Sequence, residues 1–394
     1  MERRARIDGI DFWRGCVLCM IFVDHMPGNV FEAATPRNFG FSDAAEAFVF
    51  LSGVSIALAY GGRFATGERL KPLCALARRA LKLYGAHIGL SLAALAIFFS
   101  GAALAEKPAL VAVHGRELFV DNPGLGLLGL VSLGHQLGYF NILPLYMILI
   151  ACAPILLLLA ALDWRVMLAG SALFYALVRV EGWNLPNWPA PGAWFFDPLA
   201  WQFLFAIGIA VGLCLRHGPF PVSRPLVAAS IAVVAASALV VTHGLWSPPG
   251  GARYAALEAL RGRLDLDKSQ LGMARLIHFL ALACLVHASG IVERLRGLRL
   301  YAPLTLLGRN SLWVFALVSL CSAFWQVLAE TAPRNFALDA AFAMVGIALI
   351  YLAARAVDAT PRGRPARDPP AAAPAPAGFE PLGAPEPMPA RLAP

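Results

Sequence analysis

Apolar blocks of about twenty residues, broken by short polar or Pro/Gly-rich intervals, run through this chain from residue 10 to residue 354. As helices, blocks of that length match the hydrocarbon thickness of a bilayer. The pattern predicts about ten spans, near 10–27, 44–61, 83–105, 138–159, 165–181, 199–215, 225–243, 271–290, 302–327 and 335–354. Basic residues fall in alternate loops. One set holds Arg63, Arg69, Lys71, Arg78, Arg79 and Lys82, then Arg165, then Arg216 and Arg224, then Arg294, Arg296 and Arg299. The opposite loops are poorer in basic residues or balanced by acids, as with Glu258, Asp265 and Asp267 between Arg253 and Lys268. The positive-inside rule then puts both termini in the cytoplasm. The expected fold class is all-α, a polytopic integral membrane helix bundle.

Composition agrees. Of 394 residues, 59% are hydrophobic and only 14% charged, against about 25% charged in soluble proteins. The net charge of +8 is accounted for by the loops, so it marks topology and no nucleic-acid partner is expected. The seven cysteines mostly lie in predicted helices, where Cys is a small apolar residue. Cys16 and Cys19 have a C-x-x-C spacing but no second ligand pair, so no metal is expected. The basic start is followed by no small-residue cleavage site, so the first helix is expected to be retained. From residue 356 Pro and Ala dominate without periodicity, which divides the chain into a membrane domain, 1–355, and a disordered cytoplasmic tail, 356–394.

Two outer segments are long. Residues 106–137 are expected to hold a short interfacial helix, and 181–198 are dense in Trp and Pro. The latter reads as a rigid interfacial aromatic loop or as a platform for sugar rings. No internal repeat is visible, which weakens a transporter reading.

Polar residues inside apolar blocks are costly and mark sites. Arg14 and His25 lie eleven positions apart, about 1100° of helical rotation, which puts both side chains on one face. The rise between them is roughly 16 Å. Asp11 is placed to pair with Arg14, whereas Asp24 points about 100° away from His25. Glu46, one turn into the second span, is either an N-terminal charge favoured by the helix dipole or the carboxylate that orients His25. Ser52-Gly53 reads as a close helix contact. Asn141 and Gln202 either hold helices together or meet a substrate. Arg275 and His278 share a face near the outer end of the eighth span, and Arg309 lies within or beside the ninth.

The ordered series of these segments resembles the OpgC family of membrane acyltransferases, which succinylate osmoregulated periplasmic glucans. It is carried by Arg6-Ile-Asp-Gly-Ile-Asp-Phe-Trp-Arg-Gly15, Phe22-Val-Asp-His-Met-Pro-Gly-Asn29 and the stretch from Arg37 to Gly53. Further on come Tyr139-Phe-Asn-Ile-Leu-Pro-Leu-Tyr146, Asp197-Pro-Leu-Ala-Trp-Gln-Phe203, Asp267-Lys-Ser-Gln-Leu-Gly272, Arg275-Leu-Ile-His-Phe-Leu280 and Gly308-Arg-Asn-Ser-Leu312. The wider acyltransferase-3 superfamily carries an Arg-x10-His pair in its first helix, here Arg14 and His25. It also carries a basic Arg-x-x-Arg at the start of the third, here Arg78-Arg79-Ala-Leu-Lys82, with Lys in the last place.

The resemblance implies a multi-pass protein of the bacterial inner membrane, with cytoplasmic acyl-CoA as co-substrate, no bound cofactor and a periplasmic glycan as acceptor. The glycan synthesis machinery is an expected partner alongside the bilayer. His25 is the expected general base, with Arg14 and Glu46 beside it. Arg78, Arg79 and Lys82 are expected at the CoA phosphates, and Asn141, Gln202, Arg275, His278 and Arg309 along the acceptor side or pore. The alternative is a transporter or flippase that moves a glycan or organic anion through the same polar cavity.

Overall fold

The computed structural model describes residues 2–246 and 251–360. In the first half of the chain lie α1 (Glu2–Asp24), α2 (Ala44–Ala65), α3 (Leu70–Leu104), α4 (Glu117–Asp121), α5 (Pro123–Val131), α6 (Ile142–Leu162) and α7 (Trp164–Glu181). The second half adds α8 (Pro198–His217), α9 (Arg224–Val241), α10 (His243–Trp246), α11 (Ala252–Arg263) and α12 (Met273–Ala288). It ends with α13 (Ile291–Leu295), α14 (Tyr301–Arg309), α15 (Ser311–Thr331) and α16 (Phe336–Ala359). No strand forms among the described residues beyond one antiparallel bridge between Pro186 and Ala193. The fold is a polytopic helical membrane bundle. Seven helices, α2, α3, α6, α8, α9, α15 and α16, are each long and apolar enough to cross a bilayer.

Each apolar block coincides with a helix, with two differences from the sequence reading. The third begins at Leu70 rather than near 83, because the basic stretch is rich in Leu, Ala, Lys and Arg, all strong helix formers. Its one proline, Pro72, falls in the first turn, where proline is tolerated. The ninth block breaks at Asn310, whose buried side chain bonds back to the Leu306 carbonyl at 3.1 Å. The two short helices α4 and α5 occupy the 106–137 segment. Residues 361–394, most of the proposed tail, lie outside the described residues, and α16 itself runs on to Ala359.

Helix starts follow the expected chemistry. Asp43, Asp163, Asp197, Ser223 and Asn335 each accept a backbone N–H at the head of their helix. Helix contacts then rely on small residues. A methyl group at Gly53 would collide with the Phe205 carbonyl of α8, and one at Gly208 or Gly212 with the Phe50 or Val54 carbonyl of α2. The same holds between α1 and α14, where Gly15 faces the Leu304 carbonyl and Gly308 the Asp11 carbonyl. In lipid, where apolar surface alone drives little association, such close approach supplies the packing energy. Trp201 and Phe205 of α8 are wholly buried, whereas α9 and α16 are mostly exposed and form the periphery.

Candidate active site

The first centre lies on α1. Arg14 pairs with Asp11 at 3.7 Å, as the spacing of three predicts. From α3, Arg79 donates to the Tyr146 hydroxyl of α6 and lies over that ring, 5.4 Å from its centroid. Tyr146 meets Phe48 of α2 edge-on at 5.3 Å, and Phe48 in turn contacts Phe315 of α15. Arg14 lies within electrostatic reach of both Arg79 and Tyr146. Helices α1, α2, α3, α6 and α15 therefore converge on one polar point.

The basic patch predicted on α3 is divided. Arg79 is half-buried and turned into the bundle, while Arg78 and Lys82 are exposed. Arg78 returns its Nε to the Cys74 carbonyl at 3.3 Å. Helix geometry explains the division: positions 78 and 82 are about 40° apart on the wheel, and 79 lies about 100° from 78.

His25 follows the end of α1, its amide still bonded to the Ile21 carbonyl at 3.0 Å. Its ring stands edge-on to Tyr139 at 5.1 Å, and Tyr139 meets His114 at 5.4 Å. Its Nδ1 is buried and makes no hydrogen bond. Both Tyr139 (φ 71°) and His114 (φ 62°) hold left-handed backbone, a strain the surrounding structure must enforce. The turn after His25 is tied from several sides. The Asn29 amide bonds the Val23 and Met26 carbonyls at 2.9 and 2.6 Å. Trp325 Nε1 donates to the Pro27 carbonyl at 3.4 Å, and Arg334 donates to those of Pro27 and Gly28. Asp24 faces away toward Arg37, 3.6 Å from it.

Glu46 does not reach His25. It is fully buried, and its Oε1 accepts from Arg275 Nε at 2.7 Å while Oε2 accepts the Asp43 amide at 2.9 Å in a capping box. The role of histidine orienter therefore falls away, because both carboxylate oxygens are already engaged. Asp43 completes the group, with Lys268 Nζ at 2.6 Å and Arg275 Nη2 at 3.1 Å. Burial alone would raise the Asp43 carboxyl, but Lys268 and Arg275 together outweigh it and hold the group below the usual carboxylate range. His278, on the same face of α12 as Arg275, shares a 2.7 Å hydrogen bond with Ser42. These residues join α12 to the head of α2. They give Arg275 a structural pairing in place of a free charge for a substrate.

The remaining candidates separate. Gln202 ties α8 to α7 by accepting from Ser171 Oγ at 2.6 Å and donating to its carbonyl at 3.0 Å, the helix-holding reading. Asn141 heads α6 with no capping bond from its side chain. Arg309 is exposed at the end of α14, where its charge acts on Asp11. Among the described residues no group of three or more His, Cys, Asp or Glu converges as a metal site. Sequence reading passed over Tyr139, Tyr146, Asp43 and Lys268 as site residues, although all four lie in its quoted motifs. The signal was their place beside His25, Arg14 and Glu46 in those same motifs.

A family model described as OpgC protein matches residues 3–362, which include every one of these side chains. The chain belongs to the OpgC family. No curated protein and no solved structure matches it. In this OpgC-family chain the polar groups all lie within the family's common segment, Arg14 midway along α1 with His25 just past its end, and the Glu46–Arg275 cluster at the head of α2.

Proposed function

We propose that this protein is a membrane O-acyltransferase. It moves an acyl group, succinyl by the chemistry for which the family is named, from cytoplasmic acyl-CoA to a hydroxyl of a periplasmic glucan or other envelope glycan. In this reading the chain crosses the bacterial inner membrane ten times with both ends in the cytoplasm. The observation that carries the proposal is a single helix. At one end of α1 stands a histidine with an unpartnered Nδ1, and about 16 Å away stands an arginine centre.

Neutral His25 takes the acceptor's hydroxyl proton as that oxygen bonds to the thioester carbonyl carbon. The carbon–sulfur bond then breaks, and the imidazolium returns its proton to the leaving thiolate. His25 works here without a carboxylate partner, its ring oriented by the Tyr139 edge contact. Arg14 and Arg79 line the path of the donor's arm, while exposed Arg78 and Lys82 take the CoA phosphates at its mouth. On the acceptor side Trp183, Trp188 and Phe195 leave about half of their surface exposed, flat faces suited to sugar rings. Glycan synthesis proteins are the natural source of that acceptor.

The test is thiol release from succinyl-CoA and acetyl-CoA by purified protein, with a periplasmic glucan extract as acceptor. Wild type should release thiol only when the extract is present, and His25→Ala should lose that release while remaining folded. A folded wild-type preparation that consumes neither donor would turn the assignment toward transport.

A further inference from the structure

Arg116 lies just before α4, two residues beyond His114. At 3% exposed it is the most enclosed arginine among the described residues. Its guanidinium lies on the Phe98 ring of α3, 3.7 Å from the centroid, and its Nε donates to the Val113 carbonyl at 2.9 Å. Among the described residues its two Nη groups find no hydrogen-bond acceptor and no carboxylate pairs with them. Glu117, next in the chain, is exposed and forms no ion pair with it. The neighbouring cations are already committed. Lys268 and Arg37, both within electrostatic reach of His25, hold Asp43 and the pair Glu32 and Asp24, and Arg275 holds Glu46. A buried guanidinium whose Nη hydrogens are unused is costly and calls for an anion.

Its surroundings say which anion. Arg116 is within electrostatic reach of both His114 and Tyr139. The ring of His114 meets that of Tyr139 at 5.4 Å, and Tyr139 meets His25 at 5.1 Å. His25 and Tyr139 are partly exposed and His114 is exposed, so this row of rings is reachable from outside the protein. The segment bearing Arg116 is fixed against the one bearing Tyr139. The Gly138 amide donates to the His114 carbonyl at 2.9 Å, and His135 Nε2 shares a 2.6 Å hydrogen bond with the Gly115 carbonyl. A guanidinium is therefore held about two ring contacts from the imidazole. With the acceptor hydroxyl between His25 and the thioester carbon, an extended four-carbon diacid carries its far carboxylate roughly 10 Å from the imidazole. That is the scale of the two ring steps.

We propose that Arg116 binds the free carboxylate of a dicarboxylic acyl donor and so selects succinyl over uncharged acyl groups, an inference that rests on the acyltransferase reading above. The guanidinium fork matches a carboxylate bidentately. Phe98 beneath its face and the Val113 carbonyl on Nε leave the Nη edge for that contact. An acetyl or butyryl group places no charge there and gains nothing from it.

The experiment compares wild type, Arg116→Lys and Arg116→Met on succinyl-CoA and butyryl-CoA, equal in chain length, with a neutral glucan as acceptor. The readout is the ratio of the two kcat/KM values, which a partial loss of folded protein does not move. Wild type should prefer succinyl-CoA, and Arg116→Met should lower that preference between about tenfold and about a hundredfold, the worth of a charged hydrogen-bonded pair. Arg116→Lys keeps the charge without the fork and should fall between the two; it decides the matter if Arg116→Met does not fold. A wild type without preference, or a ratio unchanged in the folded variants, overturns the proposal. Calorimetry with the same two thioesters separates it from the reading beneath it. Wild type that binds succinyl-CoA more tightly than butyryl-CoA but transfers nothing defeats only the acyltransferase reading, and loss of that difference in the variants would still uphold the carboxylate site. Wild type that binds neither thioester defeats both.

Discussion

Replacing Arg275 by Met should destabilise the protein by about 3 kcal/mol, the lower end of the range for breaking a buried ion pair from one side. The reasoning follows its bonds. Asp43 loses one contact but keeps Lys268 at 2.6 Å, so its charge remains paired. Glu46 is fully buried and loses both contacts of its Oε1, keeping only the Asp43 amide on Oε2. The cost is therefore that of one carboxylate left charged and unpaired in the interior. It amounts to more than a hundredfold in the folding equilibrium. Unfolding in mixed micelles, followed by a tryptophan signal, would measure it. Removing both partners in Arg275→Met with Glu46→Leu should recover most of the loss, because no buried charge is then stranded. A single variant within about 1 kcal/mol of wild type, or a double variant no better than the single, would refute the pairing.

Asp197 caps α8 through the Leu199 amide, and burial raises its carboxyl from an ordinary 3.8 to about 6. Its folded form thus holds a proton that the unfolded chain has lost, so stability falls as pH rises from about 4 to about 6 and is level above that. Asp197→Asn keeps a capping oxygen and should remove this fall, worth up to about 3 kcal/mol; identical pH profiles for the two proteins would exclude it. Gly308→Ala should cost at least about 1–3 kcal/mol because its methyl meets the Asp11 carbonyl. Gly85→Ala, with nothing within 4 Å of the new atom, should gain about 0.5–1 kcal/mol from helix propensity, and denaturation midpoints of the two variants would check both. Arg79→Ala should raise the donor's KM more than Arg78→Ala does, since Arg79 alone turns inward to Tyr146; steady-state kinetics with acyl-CoA would show equal effects if the two were equivalent.

Local periodicity carried most of the fold. The apolar blocks, the Asp11–Arg14 pair, the Gly53 contact and the outward turn of Asp24 all follow from 100° steps and residue size. The α3 start was missed because loop charges and helix propensity pointed to different states, and the helix won. Glu46 was open to two readings, a charge at the head of its helix or a partner for His25, and the capping box supports the first. Its true partner, Arg275, lies 229 positions away, and no spacing rule reaches that far.

The glycine seam between α1 and α14 bears on how substrates reach the site. With the Asp11 carbonyl seated on Gly308 and Gly15 on the Leu304 carbonyl, a slide of one helical turn, about 5.4 Å, would drive side chains of one helix into the backbone of the other. Arg14 and His25 therefore cannot be ferried between the two faces of the membrane by a piston stroke of α1. They stand on a fixed post, and under the proposed acyl transfer donor and acceptor would have to travel to it.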